Sequence, residues 1–310
     1  MGSKAQVIAS IAMNFPPAEH FYDLFGGGFS VTHFMLQKKS NRYTHFHYNE
    51  INADIVDLVT RSINGDFNYN KFLPPWVSRE DFFAKKDHDA YIRCLWSFGN
   101  SQSGYLFSDD IESYKKSMHM AVVFNEFDNV ANAVFGFLAW PKNIDSIFKK
   151  RIYLRQKIEH YRVTNSIPKI LYPYIKQLER LEQLERLQQL EQLEQLQQLE
   201  RLQRLQQLQQ LQQLERLHTT ACDYRNVDIQ PNSVVYCDIP YKDTKSYLND
   251  FDHKTFLDWA ASRPFPVFIS EYNISDPRFK LIYSIDKRPL FNQTTKICKM
   301  KSEKLYWYGK

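Results

Sequence analysis

The chain has 310 residues, 43% hydrophobic and 15% aromatic, ample for a packed core in one large domain or two small ones. No run of eighteen or more apolar residues occurs, and the start MGSKAQVIAS lacks the basic stretch, apolar run and cleavage site of a signal peptide. No membrane association is therefore expected, and a cytoplasmic location is. The net charge of +5 is compatible with binding a phosphate backbone but is common among soluble proteins. The four cysteines, Cys94, Cys222, Cys237 and Cys298, stand apart with no CxxC pair, which argues against a zinc site or a disulfide framework.

In chain order, HFYDLFGGGFSVTHFMLQ (20–37) predicts a short strand, a turn at Gly26, Gly27 and Gly28, and an amphipathic helix. This is a phosphate-loop-like corner without the P-loop lysine. Its glycines let backbone approach a ligand, and a helix start favours polar or anionic groups. YTHFHYNEIN (43–52) alternates as a strand does and runs into Glu50. An acid at the tip of a second strand, about twenty residues past a glycine corner, is where nucleoside-binding α/β folds grip ribose hydroxyls. The competing reading is an N-cap for the helix INADIVDLVTRSI, a role to which Glu is poorly suited. Residues 66–176 follow, rich in aromatic and basic side chains, as in FNYNKFLPPWVSREDFFAKKDHDAYIRCLW.

From Gln177 to Leu217 a Leu recurs at every third position, fourteen in all, among Gln, Glu and Arg. These are strong helix formers and no Gly or Pro interrupts them, so a long helix is expected. A period of three is not the 3.5 of a coiled coil: successive Leu positions slip back about 60° and circle the axis. The insert is either a tolerated expansion or a rod for self-association or a protein partner. Its seven Glu and five Arg leave the rest of the chain at +7.

Next, NSVVYCDIPY (232–241) has four residues of strand character running into an acid, an Ile-Pro pair and an aromatic ring, the way a buried parallel strand ends at a working site. TKSYLNDFDHKTFLDWAASRPFPVFISEYNISD (244–276) reads as loop, helix and strand. Phe251, Asp252 and His253 are read as a helix start in preference to a catalytic histidine. KICKMKSEK (296–304) is a basic end, near DNA phosphates or merely solvated.

The ordered set MGSKAQVIASIAMNFP, FYDLFGGGFSV, HYNEIN, CDYRNV, VVYCDIPY and SEKLYWY resembles the motifs of Dam-type DNA adenine-N6 methyltransferases that use S-adenosylmethionine. LWSFGNSQSGYLFSDDIESYKK resembles the stretch preceding that family's DNA-recognition part, and the whole is closest to a phage-type branch with a Leu/Gln/Glu/Arg insert. The resemblance implies a bacterial or phage-encoded enzyme acting on double-stranded DNA. It carries Lys4 onto the N-terminal cofactor motif, and Asp23, Phe25, Gly26 and Gly28 onto the loop under the cofactor's methionine part. Glu50 takes the place of the common Asp on the ribose, Asp223 and Tyr224 match the pair beside the adenine ring, and Asp238 is carried over as a cofactor-binding residue as well.

In the family's Asp-Pro-Pro-Tyr motif two acceptors take the hydrogens of the adenine amino group, whose lone pair is otherwise delocalised into the ring. In this chain they are Asp238 and the Ile239 carbonyl. Ile in place of Pro keeps that carbonyl, Pro240 restores part of the rigidity, and Tyr241 supplies a stacking face for a base rotated out of the duplex. The expected architecture is α/β: a Rossmann-like S-adenosylmethionine-dependent methyltransferase core (1–65 and 218–310), a mainly helical DNA-recognition region (66–176) and a helical repeat insert (177–217). Methylation of RNA or of another base stays open, as does a catalytically weak DNA-binding or assembly protein.

Overall fold

The computed structural model describes all residues except 1–3, 5–6, 69–71, 99–101, 165, 173–213, 242–250, 288–300 and 309–310. The chain divides into two units, Met1–Gly65 with Gln207–Lys310, and Asp66–Gln206.

The first unit is a mixed α/β layer built on a seven-stranded, mostly parallel sheet. Its strands are β1 (His20–Asp23), β2 (His45–Asn49), β3 (Leu217–Thr220), β4 (Ser233–Asp238), β5 (Val267–Glu271), β6 (Lys280–Lys287) and β7 (Lys301–Tyr308). They lie in the order β3-β2-β1-β4-β5-β7-β6. β3, β2, β1, β4 and β5 run parallel, and β7 inserts antiparallel between β5 and β6. The direction of winding reverses between β1 and β4, which pair Asp23 with Tyr236. In doubly wound sheets such a switch point opens a crevice at the carboxyl ends of the strands.

Hydrophobic alternation explains the burial. Phe21, Phe46, Tyr48, Val234, Tyr236, Phe268 and Leu305 pack on one face, and Tyr22, Leu24, Val235, Cys237, Ile269 and Tyr306 on the other. β4 and β5 are covered on both faces, which is why their sequences read as unbroken apolar runs. The helices that matter for the site are α1 (Ser30–Lys38), α2 (Ala53–Asn64) and α3 (His253–Ala261). Asn52 caps α2 by accepting from the Asp54 amide at 3.0 Å, and Gly65 at φ 95° closes it. Asp252 caps α3 by accepting from the Thr255 amide at 3.0 Å, in accord with Phe251–His253 as a helix start.

The tail of the Leu repeat corrects one expected boundary. Leu217 opens β3 against Phe46, and Leu214 and Leu217 pack on the core. Arg216 donates to the carbonyls of Ser40 at 3.0 Å, Thr44 at 2.6 Å and Tyr43. The core thus resumes before residue 218, because an edge strand beside β2 recruits the last leucine of the period. The repeat up to residue 213, and with it the expected long helix, lies outside the described residues.

Four histidines line one face of β1, β2 and β3. The rings of His20 and His45 stack at 4.9 Å, those of His47 and His218 at 4.9 Å, and His47 lies 3.9 Å from the Tyr22 ring. His20 Nδ1 and His47 Nε2 share a hydrogen bond of 3.0 Å. Burial, then His218, His20 and His45, push His47 down to about 3, and burial and His45 lower His20 against the opposing charge of Glu19. An unfolded histidine takes up a proton below about 6.5, so the stability from the neutral His47 ring is complete above that pH and is lost as pH falls toward 3. The melting temperature of a His47→Phe variant, which keeps a ring against Tyr22, should accordingly drop less between pH 7 and pH 5 than that of the parent. Equal drops would contradict this reading of the patch.

In the second unit the described residues form helices, a two-residue β-ladder pairing Ser97–Phe98 with Gly104–Tyr105, and a π-helical turn at Met120–Phe124. Met118, Ala121, Val122, Val123, Ala131, Val134, Phe135 and Leu171 form one of its hydrophobic clusters. Its helix Ile147–Thr164 carries six Lys or Arg and a single acid, Glu159. Cys94, Cys222 and Cys237 are free thiols, and Cys298 lies outside the described residues. Among the described residues no helix is long and apolar enough to cross a membrane.

Candidate active site at the carboxyl ends of the strands

The acid that ends β4 meets a lysine from the start of the chain. Lys4 Nζ lies 2.7 Å from Asp238 Oδ1, 2.9 Å from Glu303 Oε1 and 2.5 Å from the Tyr241 hydroxyl, and 4.8 Å from the centre of the Tyr241 ring. The Tyr241 hydroxyl in turn donates to Glu303. Lys4 is 4% exposed and Glu303 3%, so one buried ammonium bridges two carboxylates and a phenol. Burial alone draws an ammonium pKa down, but the charges and hydrogen bonds of Asp238 and Glu303 outweigh it and Lys4 is held above its ordinary value. Burial, followed by Asp238 and Glu303, raises the Tyr241 hydroxyl far above the ordinary phenol. Ile239 is buried in the core beneath the corner, and the Pro240 carbonyl accepts from His253 Nε2 at 2.8 Å. The Tyr241 ring meets the edge of Tyr272 at 4.4 Å.

Across the switch point, Asp23 ends β1. Its Oδ2 accepts from the Thr32 hydroxyl at 2.8 Å and amide at 3.2 Å, which ties it to the first turn of α1, while its buried Oδ1 has no partner among the described residues. Burial, with Asp238 and Glu50 adding, raises Asp23 to about 7 despite the Thr32 bonds. Its folded pKa exceeds the ordinary 3.8, so its favourable contribution is present below 3.8 and lost as pH rises through about 7. Asp23→Asn should therefore raise the melting temperature at pH 8 more than at pH 5. An equal shift at both would show that the Asp23 carboxyl is not raised by its burial and is ionised in the fold at both pH values.

The glycine corner is shaped by its own fold. A Cβ on Gly26 would lie 2.2 Å from Tyr48 Cε2, so Gly26 is required by the Tyr48 ring; Gly27, at φ 47°, makes the left-handed turn, and Gly28 faces open space. Tyr48 donates to the Gly27 carbonyl at 2.7 Å. Glu50 spans the corner, accepting from the Gly27 amide on Oε2 and from the Asn52 amide on Oε1, each at 3.0 Å. Glu50 thus braces the loop and the approach to α2, where Asn52 is the cap. Buried Asn49 fastens the neighbouring ends, donating to the Leu24 and Cys222 carbonyls at 3.1 and 3.0 Å. Asp223 binds the Arg225 side chain with both oxygens, at 2.8 and 2.9 Å, which holds it below the usual carboxylate range. Tyr224 is buried, packing on Phe25 at 5.4 Å, Phe256 at 5.3 Å and Trp259 at 5.0 Å.

Lys4, Asp238 and Tyr241 are thus in direct contact, and Asp23 and Glu50 border the same strand ends. Phe25 and Tyr224 form an aromatic wall with Phe251. Sequence reasoning missed Glu303 and Glu271. The signal for Glu303 was its place two residues before Leu305 on an alternating strand, which puts it on the Leu305 face. The Glu271 carboxylate accepts from the Tyr272 amide at 2.6 Å and stands 3.6 Å from His253 Nε2. Among the described residues no cluster of His, Cys, Asp or Glu is arranged to hold a metal ion. No family model matches the chain, and no curated protein matches it.

Proposed function

We propose that the chain is a Rossmann-like, S-adenosylmethionine-dependent methyltransferase that modifies the N6 amino group of adenine in double-stranded DNA. The observation that carries this reading is the pairing of Asp238 with Lys4, Tyr241 and Glu303 at the end of β4, across the switch point from Asp23. The strand order supports the fold assignment: it is the doubly wound order 3-2-1-4-5-6 with one antiparallel strand inserted.

The residues present fit a cationic cofactor. Asp23 Oδ1 is buried without a partner among the described residues, an arrangement that a ligand donor would relieve. S-adenosylmethionine, when bound, supplies an electrophilic methyl group on a sulfonium. Asp23, Phe25, Gly26 and Gly28 would hold its methionine part, Glu50 the ribose, and Asp223 and Tyr224 the adenine ring. The amide and guanidinium bonds already made by Glu50 and Asp223 do not exhaust carboxylates with about four lone-pair positions each.

The chain's own groups do the following. Asp238 and the Ile239 carbonyl accept the two hydrogens of the target amino group and gather electron density on its nitrogen. Lys4 fixes the direction of the Asp238 carboxylate. Lys4 and Glu303, gripping the Tyr241 hydroxyl, and Tyr272, against its ring, preset the plane on which a flipped base stacks. Duplex DNA is favoured as the partner by the basic helix Ile147–Thr164, suited to phosphates. The Leu repeat remains a proposed site of self-association.

Incubation with tritium-labelled S-adenosylmethionine and either duplex DNA or RNA tests the reading. Label is expected in DNA. Label confined to RNA would move the substrate assignment to RNA, and label in neither would overturn the enzyme reading.

A further inference from the structure

We infer that His253, backed by Glu271, is a positioning residue that sets the direction of the backbone carbonyls in the Asp-Ile-Pro-Tyr corner; this rests on the reading of that corner as the acceptor of the amino hydrogens. His253 is the first residue of α3, yet the helix does not need its side chain. Asp252 already caps α3, accepting from both the amide and the hydroxyl of Thr255 at 3.0 and 2.5 Å. The imidazole instead turns back toward β4. Its Nε2 lies 2.8 Å from the Pro240 carbonyl, and its Nδ1 lies 3.0 Å from the Phe251 carbonyl. A carbonyl only accepts, so the first contact requires an Nε2–H donor.

Glu271, at the end of β5 and 3% exposed, places Oε2 3.6 Å from that same nitrogen. Its neighbours act on the same corner. Ser270 Oγ shares a hydrogen bond of 2.8 Å with the Tyr236 hydroxyl on β4. Tyr272 sets its ring against Tyr241. Three consecutive residues at the end of β5 thus support three points along the end of β4.

The consequence follows from peptide geometry. The Ile239 carbonyl lies in the plane of the Ile239–Pro240 peptide bond, which is rigid. The proline ring fixes the following φ near −65°, so holding the next carbonyl restricts the plane before it. Ile239 is pinned by its buried side chain and Tyr241 by its hydroxyl. Among the described residues His253 supplies a restraint between them. With it gone, Pro240 loses its tether and the second acceptor swings away from the amino hydrogen.

The test uses the full chain with S-adenosylmethionine and duplex DNA, comparing His253→Ala and His253→Gln. A misplacement of about 1 Å at a reacting centre costs on the order of 10²-fold. His253→Ala should therefore lower kcat by about 10- to 100-fold with KM for S-adenosylmethionine unchanged. His253→Gln, which keeps an N–H of similar reach, should recover most of the loss. In protein labelled with 13C at the Pro240 carbonyl, His253→Ala should also shift that carbon signal, whatever the enzyme acts on. Parent protein that transfers no methyl group would refute the function while leaving this shift to report on the brace. Unchanged kcat in His253→Ala, a Gln variant as impaired as Ala at an undiminished melting temperature, or an unmoved Pro240 carbon would overturn the inference.

Discussion

Asp238→Ala is expected to abolish methyl transfer, with a loss of at least about 10²- to 10³-fold, while the chain stays folded. The side chain supplies one of two preorganised acceptors to the target amino group, and removing one such partner typically costs about 2.7 to 4 kcal/mol of transition-state stabilisation. Survival of the fold follows from the charge pattern. Lys4 also pairs with Glu303 at 2.9 Å, so deleting Asp238 leaves a neutral ion pair in place of one cation between two anions. Asp238 is also the most accessible of the three charged residues, with its side chain 20% exposed against 5% for Lys4 and 3% for Glu303. Turnover should collapse while the thermal midpoint changes little. Near-normal turnover would remove Asp238 from the chemistry.

The reverse holds for Lys4→Met. The change should then be largest in stability, because the variant takes away the ammonium that Asp238 and Glu303 share beside a buried phenol. Breaking a buried ion pair by removing one partner typically costs about 3 to 5 kcal/mol, a large share of the roughly 5 to 15 kcal/mol that holds a domain folded. Urea unfolding should show the loss, and lowering the pH should restore part of it, since protonating a carboxylate discharges the repulsion. Double substitution with Glu303→Gln should recover stability beyond the sum of the single effects, as residues in one network do. An unchanged urea midpoint in Lys4→Met would mean that the cluster does not bear on the fold.

Much of this arrangement was legible along the chain, and the reasons differ by element. β4 and β5 announce themselves because strands covered on both faces have unbroken apolar sequences. The turn after β1 was readable from its three glycines, but which one does what was not. Gly26 is set by the Tyr48 ring on another strand and Gly27 by a positive φ. β3 was hidden, since Leu217 continues the period of the repeat and the three residues after it are exposed on an edge. Glu50 was singled out as an acid at the tip of the second strand suited to a ribose; its bonds to the Gly27 and Asn52 amides depend on how two loops meet and were not readable.

The same limit applies to the acids. Lys4 and Asp238 are 234 positions apart and Glu303 is 65 further on, so no local pattern announces that one ammonium will serve both. The motif resemblance brought Lys4, Asp238 and Tyr241 forward separately; the topology, which places β7 antiparallel beside β5 with Glu271 opposite Lys304, adds Glu303. His253 read as a helix start because Asp252 supplies a good cap. That its ring reaches back to Pro240 follows only once α3 is set against the end of β4.

The most direct test of the central claim is the mass of the nucleosides released from unmethylated duplex DNA after incubation with the purified chain and S-adenosylmethionine. The proposed activity predicts a single new nucleoside, deoxyadenosine heavier by one methyl group and carrying it on N6, absent when Asp238→Ala replaces the parent chain. DNA whose nucleosides are all unmodified, or a methyl group found only on cytosine, would contradict it.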